Sequence, residues 1–134
     1  MSEEREILGK YHTVAVVGLS DDDTRPSYTV ASYLKDAGYH IIPVNPNATE
    51  VLGEKAYPDL LSIPEPVDIV DIFRRPENVP PHVDEAIAIG AKVVWMQLGI
   101  SNDEAAAKAR AAGLEVIQDR CIREAHREMT ANRQ

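Results

Sequence analysis

Three times in this chain a helix-patterned stretch runs into a glycine, and an aliphatic strand begins a few residues on. The joints are Ala37-Gly38-Tyr39-His40-Ile41-Ile42, Ile89-Gly90-Ala91-Lys92-Val93-Val94 and Ala112-Gly113-Leu114-Glu115-Val116-Ile117. A glycine in that place can take the left-handed backbone that closes a helix. Helix and strand in alternation are what an α/β domain is built from. The spacings are unequal, so this is recurring turn chemistry rather than a solenoid repeat. Ahead of the joints stands Thr13-Val14-Ala15-Val16-Val17-Gly18, a continuous run rich in valine. Such a run reads as a strand buried on both faces, as in a parallel sheet.

The other elements fill in around these. Residues 1–12 read as a short leading helix. Pro26 suits a first helical turn, with Val30, Ala31 and Leu34 on one face behind it. A second helix should begin near Pro80-Pro81 and bury Val83, Ala86 and Ile87. Ser101-Asn102-Asp103-Glu104 has the pattern of a capping box at the head of a third. A fourth should follow Arg120 and run to about Met129. The third strand reads as Val67 to Phe73, after a Pro- and Gly-punctuated stretch from Asn45 to Pro66 with a helical piece near Pro58–Ile63. At 134 residues the chain fits one domain, 1–134, with its core at about 11–128. The expected fold is a single doubly wound, Rossmann-like α/β domain. It has a five-stranded parallel sheet, strand order 3-2-1-4-5, and helices on both faces.

Charge and residue usage narrow the function. Fourteen Lys and Arg against 22 Asp and Glu leave a net charge of −8. A broad basic footprint for DNA or RNA is therefore absent, while a local basic site for a small anion is not. Cys121 is the only cysteine, which excludes an intramolecular disulfide and a Cys-rich zinc site. No apolar run is long enough to span a membrane. The acidic start of the chain lacks a signal region, so the expected compartment is the cytoplasm. His12, His40, His82 and His126 have no ligand spacing, and no metal is expected. Asp68 and Asp71, three apart on a strand, fall on opposite faces and make no catalytic dyad. Ser20 lies in no G-x-S-x-G elbow. Trp95 and Phe73 are expected in the core.

Ligands in such sheets bind beyond the carboxyl ends of the strands. Four arginines (Arg25, Arg74, Arg75 and Arg120) follow strand ends here, in a protein that is acidic overall. Guanidinium forks suit phosphate. The loop after the first strand leads to a helix start, the usual phosphate cradle. It is not the dinucleotide fingerprint, since Gly18 stands alone where three glycines are needed. Nor does the second strand end in the acid that binds ribose in NAD proteins; it ends in Asn45-Pro46. Asp21, Asp22 and Asp23 would repel a phosphate unless they face water or cap the helix.

A resemblance joins these pieces. V-x-V-V-G-x-S, R-P-S, V-N-P, G-x-x-x-Y-P-x-L, D-x-V-D-x-F-R, W-x-Q-L-G and D-R-C occur in that order over residues 11–128. The series resembles the small stand-alone CoA-binding proteins, which are similar to the N-terminal CoA-binding domain of the succinyl-CoA synthetase α-subunit. The resemblance implies coenzyme A, or an acyl-CoA, held across the strand ends. By position, Gly18, Ser20, Arg25 and Ser27 would face the pyrophosphate, and Val44, Asn45 and Pro46 the adenosine part. Phe73, Arg74 and Arg75 would flank the ligand, and Gln97, Leu98 and Gly99 would follow the pantetheine arm. The synthetase's phosphohistidine and nucleotide-grasp domains have no counterpart here, so its activity is not implied. Binding without catalysis is expected.

Cys121 sits at the predicted start of the last helix, beside Arg120 and Arg123, a position suited to a reactive thiol near the CoA sulfur. A buried small hydrophobe is the bland alternative. Two other functions stay open: an NAD(P)-binding oxidoreductase, and a CoA-sensing module that docks on a protein partner or a second copy of itself. Neither a nucleic acid nor a membrane is expected as partner.

Overall fold

The computed structural model describes residues 3–131. Helix α1 (Glu3–Lys10) leads into β1 (Thr13–Val17), α2 (Pro26–Asp36) and β2 (His40–Val44). A small antiparallel hairpin follows, β3 (Glu50–Val51) and β4 (Glu54–Lys55), then a 3-10 turn at Leu60–Ser62. The rest alternates: β5 (Ile69–Ile72), α3 (Val79–Ala88), β6 (Val93–Met96), α4 (Asp103–Ala111), β7 (Glu115–Ile117) and α5 (Ile122–Ala131). The three joint glycines, Gly38, Gly90 and Gly113, all have positive φ (102°, 74° and 93°), the backbone that ends a helix short of its strand.

β1, β2, β5, β6 and β7 form one all-parallel sheet, in the order β2-β1-β5-β6-β7. The expected class holds: five parallel strands with helices on both faces. The neighbour relations differ from the expected 3-2-1-4-5. Counting sheet strands alone the order is 2-1-3-4-5, because β5, the third of them, pairs with β1, with Asp71 opposite Val16, instead of lying outside β2. The outer edge of β2 is already taken. Tyr57 N–H donates to Pro43 O at 3.0 Å, Asn45 N–H donates to Tyr57 O at 2.9 Å, and Val44 and Tyr57 form a bridge. The punctuated stretch after β2 thus covers that edge and leaves no room for a further strand.

Strand side chains alternate between two cores. Val14 and Val16 of β1 face a cluster with Leu8 of α1, Leu34 of α2 and Ile122 of α5. Ala15 and Val17 face the other, with Val83 of α3 and Ala106 of α4. Trp95 is wholly buried in the first, its indole N–H donating to Arg120 O at 2.8 Å. Three local expectations shift. The α4 cap is Asn102, not Ser101: the Asn102 side chain accepts from Ala105 N–H at 3.0 Å. The third sheet strand is Ile69–Ile72, shorter than Val67–Phe73. A 3-10 turn at Pro76–Asn78 precedes α3. Of the leading helix read over 1–12, residues 1–2 lie outside the described residues. Among the described residues no helix is long and apolar enough to cross a membrane.

Candidate functional site

β1 is flanked by β2 on one side and β5 on the other, so the loops leaving β1 and β5 run to opposite faces of the sheet. That divergence opens a crevice beyond the strand ends. Gly18 sits in it. Its N–H donates to Val44 O at 2.9 Å, and Phe73 N–H donates to Val17 O at 2.9 Å, so both neighbouring loops press against it. A Cβ at Gly18 would lie 2.5 Å from Phe73 O and 3.1 Å from the Arg74 Cδ, at a φ of +84°. Only glycine fits there without displacing the β5 loop.

The crevice is a cleft of about 740 Å³. From the β1 loop and the start of α2 it is lined by Gly18, Ser20, Arg25 and Ser27. The β5 loop adds Phe73, Arg74 and Arg75; the β6 loop adds Gln97, Leu98 and Gly99; the start of α5 adds Cys121. Val44, Asn45 and Pro46, expected on the adenosine side, do not line it. Asn45 is a brace: its Nδ2 donates to Leu19 O at 2.9 Å and its Oδ1 accepts from Asn47 N–H at 2.8 Å. Arg123 joins the lining, although its sequence position marked it only as a neighbour of Cys121. Phe73, expected in the core, is half-buried and forms part of the cleft wall.

The β1 loop is folded by its own short side chains. Ser27 Oγ, in a residue 6% exposed, accepts from Ser20 N–H at 3.0 Å, and Ser20 Oγ accepts from Asp22 N–H at 3.0 Å. Asp22 accepts from both the Thr24 N–H and hydroxyl. Those bonds, and lastly the Arg25 charge, hold its carboxyl below the ordinary aspartate range. The aspartates face water, as one of the two expectations had it, and none caps α2. The N-cap of α2 is Arg25 with no side-chain hydrogen bond, Pro26 follows, and the first turn carries no acid. That helix start keeps its partial positive charge uncompensated.

Arg25, Arg74 and Arg75 are exposed and make no ion pair among the described residues. In a chain of net charge −8 that is a local concentration of free cation. The Arg74 field is felt nearby: burial first, then the Arg74 charge, lowers the His82 imidazole below its ordinary range, with Glu85 opposing. Arg120 differs from the expectation. It does not line the cleft but bridges Glu4 of α1 at 3.2 Å and Glu128 of α5 at 2.9 Å, tying the chain's two end helices together. Its hydrogen bonds to Glu128, and then to Glu4, push its already high pKa further up.

At the far end, Gln97 is only 4% exposed. Its Oε1 accepts from Ile122 N–H at 3.1 Å, capping α5. The adjoining loop is pinned by the D-R-C segment: Gly99 N–H donates to Asp119 Oδ1 at 2.6 Å, and Arg120 N–H to Met96 O at 3.3 Å. Leu98, 70% exposed, stands on the lip. One residue pair below the floor, Asp71 is wholly buried between Val16 and Trp95, and neither carboxyl oxygen has a partner. Burial pushes its pKa well above the ordinary value, which favours the protonated carboxyl. The signal for it was a charged residue in the middle of an otherwise apolar strand. Among the described residues no group of His, Cys, Asp or Glu could hold a metal ion.

A family model for a CoA binding domain matches residues 12–127. The chain belongs to that CoA-binding domain family. The chain is 46% identical over 125 residues to an uncharacterized Bacillus subtilis protein, YneT, covering 93% of each. It is 35% identical over 115 residues to an ADP-forming acetate–CoA ligase (II) of Archaeoglobus fulgidus, spanning 83% of this chain but 17% of that enzyme. A solved structure of a hypothetical protein from Pyrococcus horikoshii OT3 superposes with a TM-score of 0.93 at 42% identity, covering 96% of this chain and 90% of that one. The dinucleotide-forming acetyl-CoA synthetase 1 of Ca. Korarchaeum cryptofilum, in complex with phosphate and ADP, gives a TM-score of 0.71 at 25% identity, over 79% of this chain and 25% of its own. The match thus runs along nearly the whole of YneT but over a quarter or less of the two larger enzymes.

Proposed function

We propose that this protein binds coenzyme A or an acyl-CoA in the cleft at the strand ends, as a ligand it holds rather than turns over. The observation that carries the reading is the set of unpaired arginines, Arg25, Arg74 and Arg75, gathered with the uncapped start of α2 around one cleft of an otherwise acidic protein. CoA presents a pyrophosphate and a ribose 3′-phosphate. Arg25 and the Ser27 N–H at the start of α2 would take the pyrophosphate, where a helix start and a guanidinium reinforce each other. Arg74 and Arg75 would meet the remaining phosphate. The Gln97 amide and the loop around Leu98 and Gly99 would follow the pantetheine arm, with Leu98 covering its methyl groups. A volume near 740 Å³ lies within the range of small-molecule sites. Ser20, Ser27 and Asn45 act one step back, by holding the loop in shape. The reading places the protein in the cytoplasm, where CoA is available, without nucleic acid or membrane as partner.

Calorimetry with CoA, 3′-dephospho-CoA and NADH tests this. Saturable CoA binding, weaker for dephospho-CoA and weaker again for NADH, is expected. Absence of CoA binding at millimolar concentration refutes the reading, and tighter binding of NADH replaces it with a dinucleotide site.

A further inference from the structure

The cleft holds one group that ligand binding alone does not use, the Cys121 thiol, next to the Gln97 amide. Gln97 has its carbonyl committed to Ile122 N–H, and the choice of atom is forced, because an N–H needs an acceptor. Its –NH2 group is left with no hydrogen-bond partner, and the residue lines the cleft. A side chain 4% exposed thus presents a donor with fixed aim to the open space. That donor asks for a ligand carbonyl. Cys121 is the residue before Ile122, half-buried and lining the same end of the cleft. Its own carbonyl accepts from Ala125 N–H at 3.0 Å, which seats it at the start of α5. The cleft thus brings together arginines and a helix start, an amide donor and, beside Arg123, a thiol. CoA carries phosphates, amide carbonyls and a thiol.

Resting on the CoA reading above, we propose that Cys121 is an exchange cysteine that takes CoA from its symmetrical disulfide into a mixed disulfide within the cleft. The Cys121 thiolate attacks one sulfur of CoA disulfide. A new Sγ–S bond forms as the old S–S bond breaks, and the second CoA leaves as its thiolate, which takes up the proton Cys121 gave up. The disulfide is the oxidant, and none other is needed. The cleft's part is to bring the sulfurs together, so a disulfide without the nucleotide end gains nothing from it.

Reduced protein is incubated with CoA disulfide or, separately, glutathione disulfide at equal concentration, and followed by intact mass. Expected is a gain of one CoA less two hydrogens, localised to Cys121 by peptide mapping and absent in Cys121→Ser. It should form at least about tenfold faster than the glutathione adduct, as a raised effective concentration implies. Adenosine 3′,5′-bisphosphate, which fills the nucleotide end without a thiol, should slow it, as should Arg74→Ala. Equal rates with both disulfides, or no slowing by the bisphosphate, overturn the inference. So does an unmodified Cys121 in protein whose Cys121→Ser form still binds CoA by calorimetry; there the CoA reading survives. If neither adduct nor calorimetric binding is found, both fall together.

Discussion

Asp71 offers the sharpest test of the physics of this fold. It lies at the centre of the sheet, opposite Val16 and Trp95, wholly buried and with neither oxygen partnered. Burial raises its pKa well above the ordinary value. In the unfolded chain the same carboxyl ionises near about 3.9. Between that value and the raised folded one, the native state carries one proton more than the unfolded state. Stability must then fall as pH rises, by about 1.4 kcal/mol per unit for the one proton involved, and flatten only once pH passes the folded pKa. Below the unfolded pKa the contribution vanishes. Asp71→Asn keeps the shape but cannot titrate. The difference in unfolding free energy between the two proteins, from urea melts upward of about pH 4.5 (~half-unit steps), should therefore shift in favour of the variant with about that slope until pH reaches the folded pKa. Taking the difference cancels every other titrating group. Asp71→Val, which also removes the stranded polar atoms, should add a further roughly 1–3 kcal/mol over Asp71→Asn, the usual cost of unsatisfied buried polar groups. Two parallel stability curves for wild type and Asp71→Asn would refute the reasoning, for they would mean that Asp71 ionises in the folded protein as freely as in the unfolded.

Other substitutions follow from single contacts. Gly18→Ala forces a left-handed backbone on a residue with a Cβ and sets that Cβ 2.5 Å from Phe73 O; a loss of at least about 1–2 kcal/mol from the backbone alone, seen in thermal melts, is expected together with weakened CoA binding. Asn102→Ala removes the α4 cap and should cost about 1 kcal/mol in urea denaturation while leaving CoA affinity unchanged. Arg74→Ala should weaken CoA binding by roughly tenfold or more in calorimetry, an effect that shrinks as salt is raised. Since the Arg74 charge helps to depress His82, a phosphate beside Arg74 should move the His82 titration back upward. NMR of its ring protons with and without CoA reads that shift, and an unmoved His82 would place the phosphates elsewhere.

The parts of the fold that were legible in the sequence are those set by local chemistry. The joint glycines announced themselves because a helix that must stop short of a strand needs a left-handed residue there, and Gly38, Gly90 and Gly113 all adopt it. The valine-rich first strand was readable because a strand covered on both faces leaves no polar alternation. Strand order is a matter of edges, and edges are made by distant segments. One residue did carry the information: Pro43 has no N–H to give a second neighbour, and proline in a sheet belongs on an edge strand. An order with β2 inside the sheet would have set Pro43 between two partners. Arg120 was misplaced for a related reason. Its sequence neighbours put it at a strand end, but its ion-pair partners, Glu4 and Glu128, come from helices far along the chain.

The same distinction divides the site itself. The sequence motifs mark serines, asparagines and aspartates as strongly as arginines, yet the structure uses them differently. Ser27, Ser20, Asp22 and Asn45 direct acceptor atoms inward to backbone N–H groups, or a donor to a carbonyl, within the β1 and β2 loops. The groups left facing the cleft are those a loop cannot use for itself: guanidinium groups without carboxylates, a helix start without a side-chain cap, and one amide hydrogen donor whose carbonyl is already taken. All of these are donors or positive. An acidic protein that keeps such groups unpaired around one cleft is organised for a ligand that supplies acceptors and negative charge along its length. On the proposed reading that ligand is a phosphorylated amide chain rather than a neutral metabolite or a cation.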